Sequence, residues 1–228
     1  MIKVYFANIE LLDEPELFSE GLECMHPMRQ KKVLQCKQEI DKKRSLLAGI
    51  LLKIALEAEG YVYEKLDFAI EEHGKPVIKN EDNLYFSLSH AGVYALCCIS
   101  NQPVGVDLEV CAKSIFMAEK RDRLHAVARK MLSRAEYERF EQADTRQQVQ
   151  LFLKYWTCKE SYSKALGEGL RMKFSDIDTE QMGEVFWSEW LEEDVFLSVY
   201  AQPGSESKKE LYKILGLKIQ EGNVIKYV

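Results

Sequence analysis

Residues 84–110 read LYFSLSHAGVYALCCISNQPVGVDLEV, and this stretch decides the fold. Leu84–Ser89, Val93–Ser100 and Val104–Val110 are short runs rich in β-branched and aromatic residues, split by Gly92 and by Asn101-Gln102-Pro103. Strands spaced so closely by turn residues predict an antiparallel meander. Upstream, Ile2–Ile9 reads as a strand and Pro27–Gly60 as helical. Leu47, Ile50, Leu51, Ile54 and Ala58 recur at helical spacing before the stop at Gly60. A short strand over Leu66–Ile70 and a turn at Glu72–Pro76 lie between Gly60 and Leu84. Downstream come a helical region over Ser114–Arg139 and a second helix over Thr145–Gly167. Strands follow at Val185–Trp190, Val195–Ala201, Leu211–Ile219 and Val224–Val228. The order predicts an α+β fold of two similar halves, each an antiparallel sheet packed with helices. The expected division is 1–103 and 104–228, packed as one compact unit. No repeat shows in the residues themselves.

Composition narrows the functional classes. Of 228 residues, 46% are hydrophobic, enough for a large core. The net charge of −6 argues against a nucleic-acid binder. Charge is uneven, however. Seven basic residues fall between Arg29 and Arg44, which suits a small anionic ligand or a solvated helix face. The six cysteines form no C-x-x-C pair and are read as reduced, structural thiols of a cytoplasmic protein. The start of the chain does not read as a signal peptide, and no run reaches the ~18 apolar residues of a membrane span.

Three local patterns carry chemistry. In Gly105-Val-Asp-Leu-Glu-Val110, strand alternation turns Val106, Leu108 and Val110 to the core and Asp107 and Glu109 to the other face. Two carboxylates on one face need a cation, a basic partner or open water. Mg²⁺ takes such hard oxygen ligands together with substrate phosphates, although an exposed strand edge with two solvated acids gives the same pattern. Next, Trp156, Glu160 and Lys164 step by four and share a helix face just before Gly167 and Gly169. A surface ion pair is the alternative reading. Lys159 points away from that row. Finally, Gly74-Lys75-Pro76 and Ser89-His90 lie at glycine turns, where Lys, Ser and His can donate to phosphate or serve the fold alone.

In this order, the motifs Gly74-Lys75-Pro76, Phe86-Ser-Leu-Ser-His90, Gly105-Val-Asp-Leu-Glu109 and Trp156-x-x-Lys159-Glu160-x-x-x-Lys164-x-x-Gly167-x-Gly169-Leu170 resemble the 4′-phosphopantetheinyl transferase superfamily. The length matches its large, surfactin-synthetase-activating branch. The resemblance covers residues from about 29 to 170. It implies an enzyme that moves the phosphopantetheine arm of coenzyme A onto a serine of an apo acyl or peptidyl carrier protein, with Mg²⁺, releasing 3′,5′-ADP. It implies a monomer with its active site at the interface of the halves, with no nucleic acid and no membrane. Asp107, Glu109 and Glu160 would hold the metal. Glu160, Lys164 and Asp107 would be catalytic, with Glu160 as base or only as ligand. Arg29, Lys32, Arg44, Ser45, Lys75, Pro76, Ser89, His90 and Lys164 would contact coenzyme A. Residues 111–123, with Ile115, Phe116, Met117, Lys120, Arg121 and Arg123, are either part of an apolar and basic surface for the carrier or the ordinary start of an amphipathic helix. A coenzyme A hydrolase and a non-catalytic binding module are the rival readings; the module should lack the acidic triplet or Lys164. Fatty-acid, polyketide and nonribosomal-peptide carriers are all open.

Overall fold

The computed structural model describes residues 1–111, 118–202, 208–220 and 223–227. The chain forms an α+β structure of two compact units, Met1–Val104 with Gly204–Val228, and Gly105–Pro203.

The first unit is built on strands β1 (Ile2–Asn8), β4 (Tyr85–Ala91), β5 (Tyr94–Ser100) and β9 (Lys209–Lys213), in the order β4-β5-β1-β9. β5 is antiparallel to both of its neighbours, while β9 runs parallel to β1, with Val4 opposite Leu211. The expected helix over 27–60 is two helices, α2 (Pro27–Gln35) and α3 (Glu39–Ala58), split at Cys36–Gln38. Every residue of α3 from Ser45 to Leu56 is buried. A helix buried all round must be covered on both sides. The sheet lies on one side; α1 (Pro15–Glu23), α2 and the hairpin of β10 (Gly216–Gln220) and β11 (Asn223–Tyr227) cover the rest. A small hairpin of β2 (Phe68–Ile70) and β3 (Pro76–Ile78) adjoins β4.

The second unit has the sheet β6 (Val104–Val110), β8 (Val195–Ala201), β7 (Phe186–Glu192), in the order β6-β8-β7. The meander expected over 84–110 is therefore one hairpin, β4–β5, followed by a strand of another sheet. The helical region over 114–139 holds α4 (Ala118–Met131) and α5 (Arg134–Gln142). Ser133 breaks it with a capping box, its hydroxyl accepting from Glu136 N while Glu136 accepts from Ser133 N. α6 (Thr145–Leu166) begins at an Asp144–Gln147 capping box, packs on β8, and stops at Gly167, whose φ of 76° only glycine adopts cheaply.

The two units share one topology. β1-α3-β4-β5 with sheet order β4-β5-β1 matches β6-α6-β7-β8 with sheet order β7-β8-β6, and all six strands have seven residues. The tail departs from the expected division at 103/104. β9 extends the first unit's sheet because β1 offers it a free edge, and the last hairpin packs on α1 and α3.

Candidate active site

Strand alternation puts Gly105, Asp107 and Glu109 on one face of β6, and α6 lies across that face. A Cβ on Gly105 would stand 1.8 Å from the carbonyl oxygen of Ser161 and 2.5 Å from Ala165 N, so only glycine allows the approach. Lys164 Nζ then reaches Asp107 Oδ1 at 2.6 Å, and Trp156 Nε1 donates to Glu109 Oε1 at 3.1 Å. The row of every fourth residue on the helix thus meets the row of every second residue on the strand, running in opposite senses. The indole is itself fixed between Phe152 (centroids 6.0 Å apart) and Phe174 (5.9 Å).

The electrostatics follow from crowding. Glu160 is held above the ordinary carboxylate range, first by burial and then by the charge of Asp107, with Lys164 opposing. Glu109 is raised by burial and by Asp107, while the Trp156 bond pulls it down. Asp107 is 5% exposed and sits at the centre of this cluster. Lys164 therefore acts on all three carboxylates. Among the described residues no three Asp, Glu, His or Cys side chains form a ready cage for a metal. An all-protein cage is not what Mg²⁺ requires, since it commonly takes one or two carboxylates beside phosphate oxygens and water. The hard, mutually repelling oxygen donors here fit that need.

Lys159 lies outside the cluster. It is fully buried, donates to the carbonyls of Met131 (3.1 Å), Phe174 (2.7 Å) and Ile177 (2.7 Å), and pairs with Glu136 Oε2 at 2.6 Å. Burial lowers its pKa and Glu136 opposes the shift.

Apart from Lys164, the residues expected to meet an anion are found in the first unit. A cleft is lined by His26, Arg29, Lys32, Phe68, Gly74 and Pro76, among others. α2 supplies Arg29 and Lys32 one turn apart. The stem of Arg29 lies on Gly49 of α3, where a Cβ would come within 2.9 Å of Arg29 Cγ. No carboxylate among the described residues pairs with Arg29, and burial lowers its pKa. By contrast, Lys42, Lys43 and Arg44 are paired with Glu39, Asp13 and Asp41. Part of the basic run is thus ordinary ion pairing, while Arg29 is a desolvated cation with no carboxylate partner among the described residues. Arg44 Nε also donates to Gly92 O at 2.6 Å, which ties α3 to the β4–β5 turn.

Ser45, beside Arg44, is 4% exposed, and its hydroxyl has no hydrogen-bond partner among the described residues. Ser89 and His90 take opposite faces of β4, the serine 6% exposed and the histidine exposed. Lys75 is half-buried in the turn that carries Gly74 and Pro76, its pKa lowered by burial. The sequence reading had no sign of His26 or Phe68 as lining residues. In the surface expected to meet a carrier, Ile115, Phe116 and Met117 and the side chain of Lys120 lie outside the described residues; Arg121 and Arg123 are exposed. No described helix is long and apolar enough to cross a membrane.

The chain matches the family description "4'-phosphopantetheinyl transferase superfamily" over residues 103–214 and "4'-phosphopantetheinyl transferase, N-terminal" over residues 14–102. It is similar to 4'-phosphopantetheinyl transferase Sfp of Bacillus subtilis (strain 168), at 29% identity over 75% of this chain and 73% of that one. It is similar to 4'-phosphopantetheinyl transferase gsp of Aneurinibacillus migulanus, at 26% identity over 86% and 79%. Similarity to 4'-phosphopantetheinyl transferase HetI of Nostoc sp. (strain PCC 7120 / SAG 25.82 / UTEX 2576) reaches 33% identity over 56% and 49%.

Proposed function

Because the chain belongs to the 4′-phosphopantetheinyl transferase superfamily, and so moves phosphopantetheine from coenzyme A to carrier proteins, we propose that Asp107, Glu109, Glu160 and Lys164 are its reacting groups. The observation that carries this reading is the opposition of Asp107 and Glu109 on β6 to Trp156, Glu160 and Lys164 on α6.

The carrier serine attacks the β-phosphorus of coenzyme A, the phosphoanhydride bond breaks, and 3′,5′-ADP leaves with the bond electrons. A serine hydroxyl needs a base, and Glu160 suits that role because its raised pKa makes it a better proton acceptor than an ordinary carboxylate. Lys164, held at Asp107, offsets charge on the transferring phosphate. Asp107, Glu109 and Glu160 would hold Mg²⁺, which supplies charge compensation at the pyrophosphate oxygens when bound. Arg29, Lys32, Arg44, Ser45, Lys75, Pro76, Ser89 and His90 would contact the nucleotide. The desolvated, carboxylate-free Arg29 supports this strongly, since a charge-assisted bond to phosphate is a strong one. The enzyme would act as a cytoplasmic monomer on an apo acyl or peptidyl carrier.

The test is to weigh apo carrier after incubation with coenzyme A and Mg²⁺. Addition of one phosphopantetheine, prevented by EDTA and restored by Mg²⁺, is expected. Addition that EDTA leaves untouched would remove the metal assignment. Release of 3′,5′-ADP without any carrier modified would favour the hydrolase.

A further inference from the structure

The lysine next to Glu160 is closed inside the protein, its ammonium bonded to protein groups. Lys159 is fully buried and spends its ammonium on three carbonyls and one carboxylate. Those partners come from three places: Met131 at the end of α4, Glu136 in α5, and the segment from Phe174 to Ile177. Glu136 is fully buried as well. Its Oε1 accepts from Thr179 N (3.0 Å) and Thr179 Oγ1 (2.8 Å), and its Oε2 from Ser133 N (2.8 Å).

Successive helix residues are about 100° apart, so a residue pinned on one side of α6 fixes which residues face the other. The opposite side of α6 is the side that touches β6. There the fit is set by Gly105 against Ser161 O, with no room for a side chain. The helix is thus seated from two directions, by contact with the bare strand in front and by a buried ion pair behind. A small rotation would part Trp156 from Glu109 and Lys164 from Asp107 together.

We propose that Lys159 and Glu136 are positioning residues for the transfer reaction: their buried ion pair sets the rotation of α6 that brings Trp156, Glu160 and Lys164 onto β6. The inference rests on the reading of that cluster as the reacting site. Lys159 touches neither substrate nor metal.

The test is the full-length double variant Lys159→Met/Glu136→Gln, which removes the pair without leaving a buried charge alone. It is made in a Trp187→Phe/Trp190→Phe background, where Trp156 is the single tryptophan. Three readings are taken: circular dichroism, kcat and coenzyme A KM with apo carrier, and Trp156 emission. The folded variant should lose at least ~10-fold in kcat with KM within about threefold, and its Trp156 emission should shift. Wild-type kcat in the folded variant overturns the proposal. So does a tenfold rise in coenzyme A KM at constant kcat, which would make Lys159 a phosphate ligand. Thr179→Val serves if the double variant does not fold. It loosens Glu136 alone and should lower kcat about two- to fivefold at constant KM; unchanged kcat overturns the proposal. Asp107→Ala in the same background separates the two readings. If it stays active, the site assignment itself fails; if it is dead while the double variant is fully active, only the positioning role fails.

Discussion

Gly105 and Ser161 meet backbone to backbone: the space a Cβ on Gly105 needs is taken by the carbonyl oxygen of Ser161, 1.8 Å away. Neither partner is a flexible side chain, so the strand or the helix must move. Gly105→Ala is expected to cost about 1–3 kcal/mol of stability or more, as overpacking does. It should also reduce carrier modification by more than ~100-fold, because it separates the two rows proposed as reacting groups. Urea midpoint and turnover measured together check this. An alanine variant with normal turnover would show that the close approach is dispensable.

Asp107 is the buried partner of the half-exposed Lys164. Asp107→Asn keeps the shape and removes the charge, so turnover should fall at least ~100-fold. Thermal stabilisation by coenzyme A should also lose its dependence on Mg²⁺. If the metal still strengthens coenzyme A binding in this variant, its ligands lie elsewhere.

Glu160 carries a pH signature with a definite sign. Its folded pKa lies above the ordinary value of 4.5, so between those two values the folded state binds more protons than the unfolded one. Stability then falls as pH rises through that window. The repulsion from Asp107 is absent at low pH and fully present above the folded pKa. Glu160→Gln should therefore raise the melting temperature of the metal-free enzyme at neutral pH, by about 2 °C or more. The gain should vanish below pH 4.5, while transfer activity is lost at every pH. Thermal scans in EDTA across pH check the sign. A melting temperature lowered at neutral pH would contradict it.

Arg29 offers a second separation of stability from function. No carboxylate among the described residues depends on it, so Arg29→Met, which keeps an unbranched stem on Gly49 and removes the charge, should not destabilise the fold. Coenzyme A KM should rise about 10- to 100-fold with kcat little changed, as for a residue that binds ground and transition states alike. An effect confined to kcat would move Arg29 from binding to chemistry.

Much of the site was legible because it depends on short periods. Asp107 and Glu109 are two apart on a strand; Trp156, Glu160 and Lys164 are four apart on a helix. Periodicity alone puts each set on one face. That the two faces meet was not legible from spacing, since the pairing crosses about fifty residues of chain. Lys159 shows the same limit. Its spacing said that it points away from Lys164, but its partners lie at 131, 136, 174 and 177, and only folding brings them to it. The topological repeat is hidden for a related reason. It is carried by strand order, while the residues filling the two sheets differ, as CCIS in β5 and VFLSVYA in β8 illustrate. Breaks inside the long helical readings were missed where the signal was local, as at the Ser133–Glu136 capping box.

The parallel pairing of β9 with β1 has a consequence for the order of synthesis. β6, α6, β7 and β8 are contiguous in the chain, so the second unit can complete its sheet while translation continues. The strand that closes the edge of β1 emerges only with Lys209–Lys213, some two hundred residues after Ile2–Asn8. Until then the nascent chain displays an unpaired strand edge, the feature that invites aggregation. The edge of Ile2–Asn8 therefore waits on residues made some two hundred positions later, and those late residues act as its seal.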